Sequence, residues 1–249
     1  MTTIMKGAEP WGADGDDIGV LVLHGFTGSP QSVRYWAEGV AAQGRSVLVP
    51  RLPGHGTTVD DLQRTTAQDW VAEAEMSLRG LRERCYTTFV CGLSGGGTIA
   101  FDLAERLGDQ LAGVITVNAS MFTRDPRRHL APIVGLLPLK LKGIFNDIAD
   151  PNENEVGYDR VPTMAAKSMI DYQTRVMRDL GRVTVPTLLL ASRQDHTVHP
   201  DNSPYIHDHI ASKDKELLWL ERSYHVATLD YDKDLIVERT NAFIKEHTA

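Results

Sequence analysis

The feature that most limits how this chain can fold is a serine set between glycines at the end of an apolar run. Residues 87–91 have the composition of a buried strand, and residues 92–96 follow with the sequence Gly-Leu-Ser-Gly-Gly. A helix-forming stretch begins directly afterwards. A strand that turns this sharply into a helix holds the serine hydroxyl outward, and glycines leave room for the neighbouring backbone. The motif is short, so its support must come from the rest of the chain.

Apolar runs along the chain predict a mostly parallel sheet. Short runs that indicate buried strands lie at residues 18–23, 46–50, 87–91, 113–117, 186–191 and 216–220. Amphipathic patterns that indicate helices lie at residues 68–84, 98–107 and 234–247. Apolar strands that alternate with helices are typical of an α/β fold with helices on both faces of the sheet. In such sheets the functional residues lie beyond the carboxyl ends of the strands.

Residues 119–175 break this alternation. The segment begins with basic residues, Arg124, Arg127 and Arg128. Its middle, from Leu130 to Phe145, is apolar, and its end is acidic, with Asp147, Asp150, Glu153 and Glu155. We predict an inserted cap of short helices over the functional edge of the sheet, with residues 1–118 and 176–249 as the core. The apolar middle fits either packing on the core or a wall for an acyl chain with an outer surface that rests on lipid.

A serine hydroxyl becomes a good nucleophile only beside a base that a third group orients. We choose His225, in the loop after the last predicted strand, as the base, and Asp195, after the strand at 186–191, as the orienting acid. The order serine, aspartate, histidine matches that of the α/β enzymes with a serine on a strand–helix turn. Other histidines in this region are expected in loops or at the surface, namely His196, His199, His207 and His209. Their spacings also resemble metal-ligand pairs, but no third ligand stands at a suitable spacing.

The negative oxygen that forms when Ser94 attacks an ester needs backbone N–H donors. One is Gly95, because it begins the helix, where unpaired N–H groups and the positive end of the helix dipole lie. The second is expected in the loop after the first apolar strand, residues 24–28, where we choose Phe26. The same loop also fits a simpler interpretation as a turn that ends the strand.

Composition excludes several other functions. The chain has 249 residues and a net charge of −7, which argues against a nucleic-acid partner, because such a partner needs a basic surface. The two cysteines, Cys85 and Cys91, form neither a disulfide framework nor a metal motif. The sequence shows no signal peptide and no membrane-spanning run. We therefore expect a cytoplasmic enzyme without cofactor or metal, and leave transient contact with membranes open.

Beyond these single motifs, the chain resembles the α/β-hydrolases, and within them the bacterial monoacylglycerol lipases and related small carboxylesterases. The matching stretches are residues 24–28, 51–56, 69–70, 92–97, 195 and 223–230. The last stretch, Ser-Tyr-His-Val-Ala-Thr-Leu-Asp, is the most specific. The resemblance implies an α/β-hydrolase fold with a helical cap. It also implies the roles given above for Ser94, Asp195, His225, Phe26 and Gly95.

The resemblance extends to the substrate, with one departure. It implies that Glu155 contacts the glycerol hydroxyls and that Ile144 lies near the entrance, although Glu155 also fits a solvated surface carboxylate. The departure is at Gly95, where these relatives commonly carry Met, Leu or Gln. The N–H donor is kept. The missing side chain would enlarge the acyl pocket or loosen the turn.

These observations lead us to expect a serine hydrolase that cleaves carboxylic esters, with monoacylglycerols as the substrate class. A short-chain carboxylesterase of broad specificity remains an alternative. A ligand-binding protein that keeps the fold but turns over little is a more distant one. Haloalkane dehalogenase chemistry is disfavoured, because it needs an aspartate where Ser94 stands.

Overall fold

Strands and helices alternate along most of the described chain. The computed structural model describes residues 3–124 and 131–248, so the expectations made for Arg127, Arg128 and Leu130 lie outside the described residues. The strands are β1 (Trp11–Ala13), β2 (Ile18–Leu23), β3 (Ser46–Val49), β4 (Thr87–Leu93), β5 (Gly113–Val117), β6 (Lys140–Lys142), β7 (Arg160–Pro162), β8 (Thr187–Ser192) and β9 (Lys215–Leu220). The helices are α1 (Gln31–Ala41), α2 (Val59–Gln63), α3 (Ala67–Arg82), α4 (Gly95–Leu107), α5 (Ala131–Val134), α6 (Thr163–Asp179), α7 (Asn202–His209) and α8 (Lys233–Glu246).

Seven of these strands form one sheet in the order β1-β3-β2-β4-β5-β8-β9. Strand β1 pairs antiparallel with β3, and every other pair in this sheet is parallel. The predicted α/β fold with a mostly parallel sheet is confirmed. Within the described part of the chain, no helix is both long and apolar enough to cross a lipid bilayer.

Helices cover both faces of the sheet, which explains why its strands are apolar throughout. Successive side chains of a strand point to opposite faces. In β2, Leu21 and Leu23 therefore join one apolar cluster, whereas Val20 and Val22 join the other. Helices α3, α4 and α6 contribute to the first cluster, and α1 and α8 to the second. Each fully buried Leu or Val contributes about 1.5–3 kcal/mol to stability.

Residues 119–175 contain elements of different lengths. Helix α5 has four residues, and a two-stranded antiparallel sheet of β6 and β7 follows, which the sequence did not predict. Only part of the expectation of short helices holds, because α6 has 17 residues and continues past residue 175. Helix α6 is attached to the core, since Arg175 binds the buried carboxylate of Asp102 in α4. The division of the chain at residues 119 and 175 stays a prediction.

The turn between β4 and α4 leaves no space for side chains at two of its glycines. A Cβ atom on Gly92 would lie 2.4 Å from the Gly96 carbonyl oxygen, and one on Gly96 would lie 2.3 Å from the Leu23 carbonyl oxygen. Steric repulsion forbids contacts this short. Glycine at both positions therefore allows α4 to pack directly against the ends of β2 and β4.

Replacing Gly96 by alanine should destabilise the fold, because the new methyl group must displace the backbone at the end of β2. We expect a loss of more than about 1 kcal/mol in the free energy of unfolding, measured in urea. Gly80 is the matched control, since a methyl group added there has no neighbour within 4 Å. Gly80 lies inside α3, so Gly80→Ala should raise stability by about 0.5–1 kcal/mol. A Gly96→Ala protein as stable as the wild type would contradict the close approach.

Candidate active site

Ser94 lies where β4 turns into α4, in a backbone conformation that few residues adopt. Its φ is 54° and its ψ is −117°, which is strained for any residue other than glycine. The surrounding backbone holds it, because Ser94 N donates to the Val117 carbonyl at 2.9 Å and the Ser94 carbonyl accepts from Ser120 N at 3.2 Å. Ser94 is partly exposed. Its hydroxyl makes no hydrogen bond with residues 3–124 or 131–248.

The structure brings Asp195 and His225 together. Asp195 Oδ2 lies 2.7 Å from His225 Nδ1, and its Oδ1 accepts from the N–H groups of Thr197 and Val198 at 2.8 and 2.7 Å. The two side chains are only 2% and 9% exposed. With the carboxylate as acceptor, the neutral ring carries its proton on Nδ1, and Nε2 keeps the lone pair that a base needs. The contact between His225 and Ser94 stays a prediction.

An asparagine that the sequence analysis did not select fixes the loops of this pair. Asn118 directly follows β5 with a φ of 48°. Its Nδ2 donates to the His225 carbonyl at 2.8 Å, and its Oδ1 accepts from Ser192 N at 2.7 Å. Asp195 lies in the loop after β8, called the acid loop, and His225 lies in the loop after β9, called the base loop. Since Ser192 ends β8, one buried amide joins both loops to the sheet. The available signal was an asparagine after a buried strand, because asparagine tolerates positive φ better than most residues.

The pKa of His225 depends on the charges around it. Burial alone would lower this pKa, but the charge and the hydrogen bond of Asp195 raise it, and the charges of Glu155 and Asp147 add to that effect. The resulting pKa of His225 lies above the ordinary value of 6.5. Three acidic groups therefore stabilise the imidazolium, which is the form that a general base reaches when it accepts a proton.

Two backbone N–H groups lie close together beside Ser94. A Cβ atom on Gly95 would lie 3.2 Å from Phe26 N and 3.0 Å from Met169 Cε. The loop after β2, the start of α4 and helix α6 therefore meet at this point. Neither Phe26 N nor Gly95 N donates to an acceptor within the described ranges. Unpaired donors at a helix start are suited to an anion, and their role as oxyanion donors stays a prediction.

Two buried histidines support the Phe26 loop. His24 and His55 are fully buried with ring centroids 5.0 Å apart, and His55 also contacts the rings of Phe26 and Trp70. Leu52 N donates to His24 Nε2 at 3.2 Å, which requires a neutral ring. Burial lowers the pKa of His24 to about 4 and also lowers the pKa of His55 well below 6.5. Near neutral pH both rings are uncharged packing elements beneath the loop.

The residues predicted to contact the substrate lie in different surroundings. Glu155 Oε1 is 2.6 Å from where a Cβ atom on Gly28 would be, so its carboxylate reaches the loop after β2. Burial raises the pKa of Glu155 to about 7, against an opposing effect of His225. Glu155 as a whole is partly exposed, and its contact with the glycerol hydroxyls stays a prediction. Ile144 is exposed on the cap segment, and its place at an entrance stays a prediction.

Two of the other histidines that follow Asp195 in the chain make contacts elsewhere. His196 Nδ1 lies 2.8 Å from Asp147 Oδ1, and His209 Nδ1 lies 2.7 Å from the Tyr205 carbonyl oxygen. Where the structure describes the chain, no three His, Cys, Asp or Glu side chains are grouped so that they could hold a metal ion. Two grooves, of about 380 and 480 Å³, lie between α3 and α4 and beside β1, and neither is lined by Ser94.

The fold and this arrangement define a serine hydrolase of the α/β-hydrolase class. A serine on the turn after β4, an aspartate after β8 and a histidine after β9 follow the chain order of that class. A model of the family described as "Serine aminopeptidase, S33" matches residues 17–232, and the chain belongs to that family. The resemblance to the α/β-hydrolases that the sequence indicated is confirmed.

Named relatives cover nearly the whole chain. The chain is 41% identical over 246 residues to a thermostable monoacylglycerol lipase of Bacillus sp. (strain H-257), which covers 98% of this chain and 97% of the relative. It is 25% identical over 239 residues to a carboxylesterase of Bacillus subtilis (strain 168), with 96% of each covered. A solved structure from work on LipS and LipT, two metagenome-derived lipolytic enzymes, matches with a TM-score of 0.95 and 44% identity over 98% of this chain and 100% of that chain.

The pKa values of the two kinds of buried histidine should be shifted in opposite directions from 6.5. In a pH titration followed by the Cε1–H NMR resonances, His225 should have a pKa above 6.5, because its acidic neighbours outweigh its burial. His24 should have a pKa of about 4, because burial dominates there. Loss of one resonance in the His225→Gln variant gives the assignment. A His225 ring that stays uncharged down to pH 6 would contradict this electrostatic arrangement.

Proposed function

We propose that this protein hydrolyses monoacylglycerols to glycerol and fatty acid through an acyl-enzyme on Ser94. The observation that carries the proposal is the buried Asp195–His225 pair, joined at 2.7 Å, at the same edge of the sheet as the strained turn of Ser94. The 41% identity to a protein named a monoacylglycerol lipase supports this substrate class. The family description refers to aminopeptidases, but both named relatives of nearly full length are ester hydrolases by name.

In the first step, Ser94 Oγ attacks the ester carbonyl carbon while His225 Nε2 accepts the hydroxyl proton. Asp195 holds the ring in the required tautomer and stabilises the imidazolium that forms. The N–H groups of Phe26 and Gly95 donate to the negative oxygen of the tetrahedral intermediate. Loss of one such donor typically costs about 10²–10³ in rate.

In the second half of the reaction, the imidazolium of His225 returns its proton to the leaving alcohol, and glycerol departs. A water molecule then attacks the acyl-enzyme while the same ring accepts its proton, which frees the fatty acid and restores the hydroxyl of Ser94. Both steps begin with a neutral imidazole. Because the pKa of His225 is raised above 6.5, activity should begin to fall above that value as the pH is lowered.

Glu155 supports a glycerol ester as the substrate. Its carboxylate lies beside Gly28, in the loop that carries Phe26, and its charge affects the pKa of His225. A leaving alcohol with free hydroxyls can donate hydrogen bonds to a carboxylate in this place, whereas an aryl or simple alkyl leaving group cannot. A buried polar group that only one substrate satisfies discriminates strongly between substrates.

The cap segment supports an extension of the proposal to transient contact with micelles or membranes. Its exposed large apolar side chains are Ile133, Leu136, Leu137, Leu139, Leu141, Ile144 and Met164. Concentrated exposure of this kind is uncommon on proteins that contact only water. Burial of apolar groups in lipid is worth about 0.8 kcal/mol per CH₂. The cytoplasmic location expected from the sequence stays a prediction.

The second candidate function is that of a short-chain carboxylesterase, which the identity to the Bacillus subtilis carboxylesterase favours. Rates on p-nitrophenyl esters from short to long acyl chains, compared with rates on 1- and 2-monoacylglycerols, separate the two. A short-chain esterase loses rate as the acyl chain lengthens and gains nothing from glycerol. The proposed lipase prefers the glycerol esters.

Replacing Ser94 by alanine should abolish ester hydrolysis, with a loss on the order of 10⁶ in kcat, because the acyl-enzyme cannot form. Ser77→Ala, a change of the same size within α3, should keep the wild-type rate. A fluorophosphonate should label the wild type once per chain and leave Ser94→Ala unlabelled, and measured turnover then separates an enzyme from a ligand-binding protein. Full activity in Ser94→Ala would contradict the proposal.

The Glu155→Gln variant should lose about 10–100-fold in kcat/KM on a monoacylglycerol and little on a p-nitrophenyl ester of the same acyl chain, because only the first has hydroxyls to donate. In the wild type, the ratio of the two kcat/KM values should rise with pH through about 7, where Glu155 ionises. The ratio cancels the shared titration of His225. Glu153→Gln is the control, since Glu153 pairs with Lys233 instead. Equal losses on both esters would contradict the role of Glu155.

A further inference from the structure

The cap segment contacts both catalytic loops through a second aspartate, Asp147, whose side chain is 9% exposed. Asp147 Oδ2 accepts from the backbone N–H groups of His196 at 3.0 Å and of His225 at 3.3 Å. Its Oδ1 lies 2.8 Å from His196 Nδ1, and the Thr197 hydroxyl donates to Oδ2 at 3.4 Å. One carboxylate therefore binds the residue after Asp195 and also the backbone of the base.

The backbone around Asp147 strengthens this connection in both directions. The Asp147 carbonyl accepts from Val226 N at 3.0 Å. In return Asp230, which is fully buried in the base loop, accepts from the N–H groups of Ala149 and Asp150 at 2.7 and 3.1 Å. The cap segment and the base loop thus exchange hydrogen bonds, with a carboxylate acceptor on each side.

The residue before Asp147 has a strained backbone that sets this arrangement. Asn146 has a φ of 57°, in the left-handed region that asparagine tolerates better than most residues. Its Oδ1 accepts from Glu155 N at 2.7 Å. The same turn therefore holds the backbone of Glu155 and directs the side chain of Asp147. Such strain persists where the surrounding contacts over-determine it.

We propose that Asp147 is a positioning residue of the ester-hydrolysing site, which holds the acid loop and the base loop together from the side of the cap. The inference rests on the proposed function. Asn118 fixes the same two loops from the side of the sheet, so the base loop is held between two anchors. Without Asp147 the N–H group of His225 loses its acceptor, and the ring is free to shift relative to Ser94.

The charge of Asp147 gives the proposal a second readout. The acidic groups that face His225 are Asp195 from the loop after β8 and Glu155 and Asp147 from the cap segment, and His196 faces Asp147 from the other side. Removing the negative charge at position 147 should lower the pKa of His225. A purely structural contact would change the rate without moving this pKa.

The test compares Asp147→Asn and Asp147→Ala with the wild type in pH profiles of kcat/KM on a p-nitrophenyl ester. Asp147→Ala removes the acceptor and the charge, and we expect a loss of about 10²-fold, the scale of a small misplacement in a catalytic site. Asp147→Asn keeps an acceptor oxygen, so it should lose less rate and should move the acid midpoint to lower pH. Asp159→Asn, which removes an exposed cap carboxylate, should change neither.

The outcomes distinguish a failure of the role of Asp147 from a failure of the proposed function. Folding of each variant is checked by circular dichroism and Tm, and if Asp147→Ala does not fold, the midpoint of Asp147→Asn decides. An unmoved midpoint in Asp147→Asn, or a folded Asp147→Ala with the wild-type rate, overturns the positioning role. If Ser94→Ala is inactive while both Asp147 variants behave as the wild type, only this inference fails. An active Ser94→Ala protein overturns the proposed function as well.

Discussion

The close approach of Gly96 to the end of β2 is the constraint on which the rest of the site depends. Because only hydrogen fits between Gly96 and the Leu23 carbonyl, α4 begins directly above the carboxyl ends of the strands. That start places the N–H group of Gly95 beside the loop after β2 and forces Ser94 into a left-handed conformation. Strain of about 1–3 kcal/mol survives only where the surroundings over-determine it. Hydrogen bonds with the chain around the end of β5 do so at Ser94, so the sheet itself fixes the proposed nucleophile.

Negative charge directed at one imidazole is the second organising feature. Asp195, Glu155 and Asp147 act on His225 from the loop after β8 and from the cap segment. A carboxylate removed from water is costly by itself, but all three stabilise the positive form of the ring, which is the form that the proposed proton transfer from Ser94 would produce. The pKa of Glu155 is raised to about 7 and the pKa of His225 is raised above 6.5, and the charge of each group acts on the pKa of the other. The chemistry is thereby linked to the cap.

The sequence was sufficient for the sheet, because the chemistry that determines its strands is local. Strands buried on both faces appear as apolar runs, and Ser94, Asp195 and His225 each follow the end of such a run. Asn118 and Asp147 could not be found in this way, because their bonds to the His225 backbone span 107 and 78 positions. A bond to a backbone group leaves no pattern in the sequence, since every residue carries such groups. Strands β1, β6 and β7 were missed because three residues are too few to show an alternating period.

A side chain of helix α6 fills the space beside Gly95, the residue that directly follows Ser94. Met169 Cε lies 3.0 Å from where a Cβ atom on Gly95 would be. Met169 is nearly buried, and its flexible thioether fills irregular space well. The apolar volume beside the proposed oxyanion donors therefore comes from α6, which argues against a pocket enlarged by the missing side chain. Arg175 anchors α6 to the buried carboxylate of Asp102 in α4. The side chain of Met169 is therefore held in place by the helix that begins directly after Ser94.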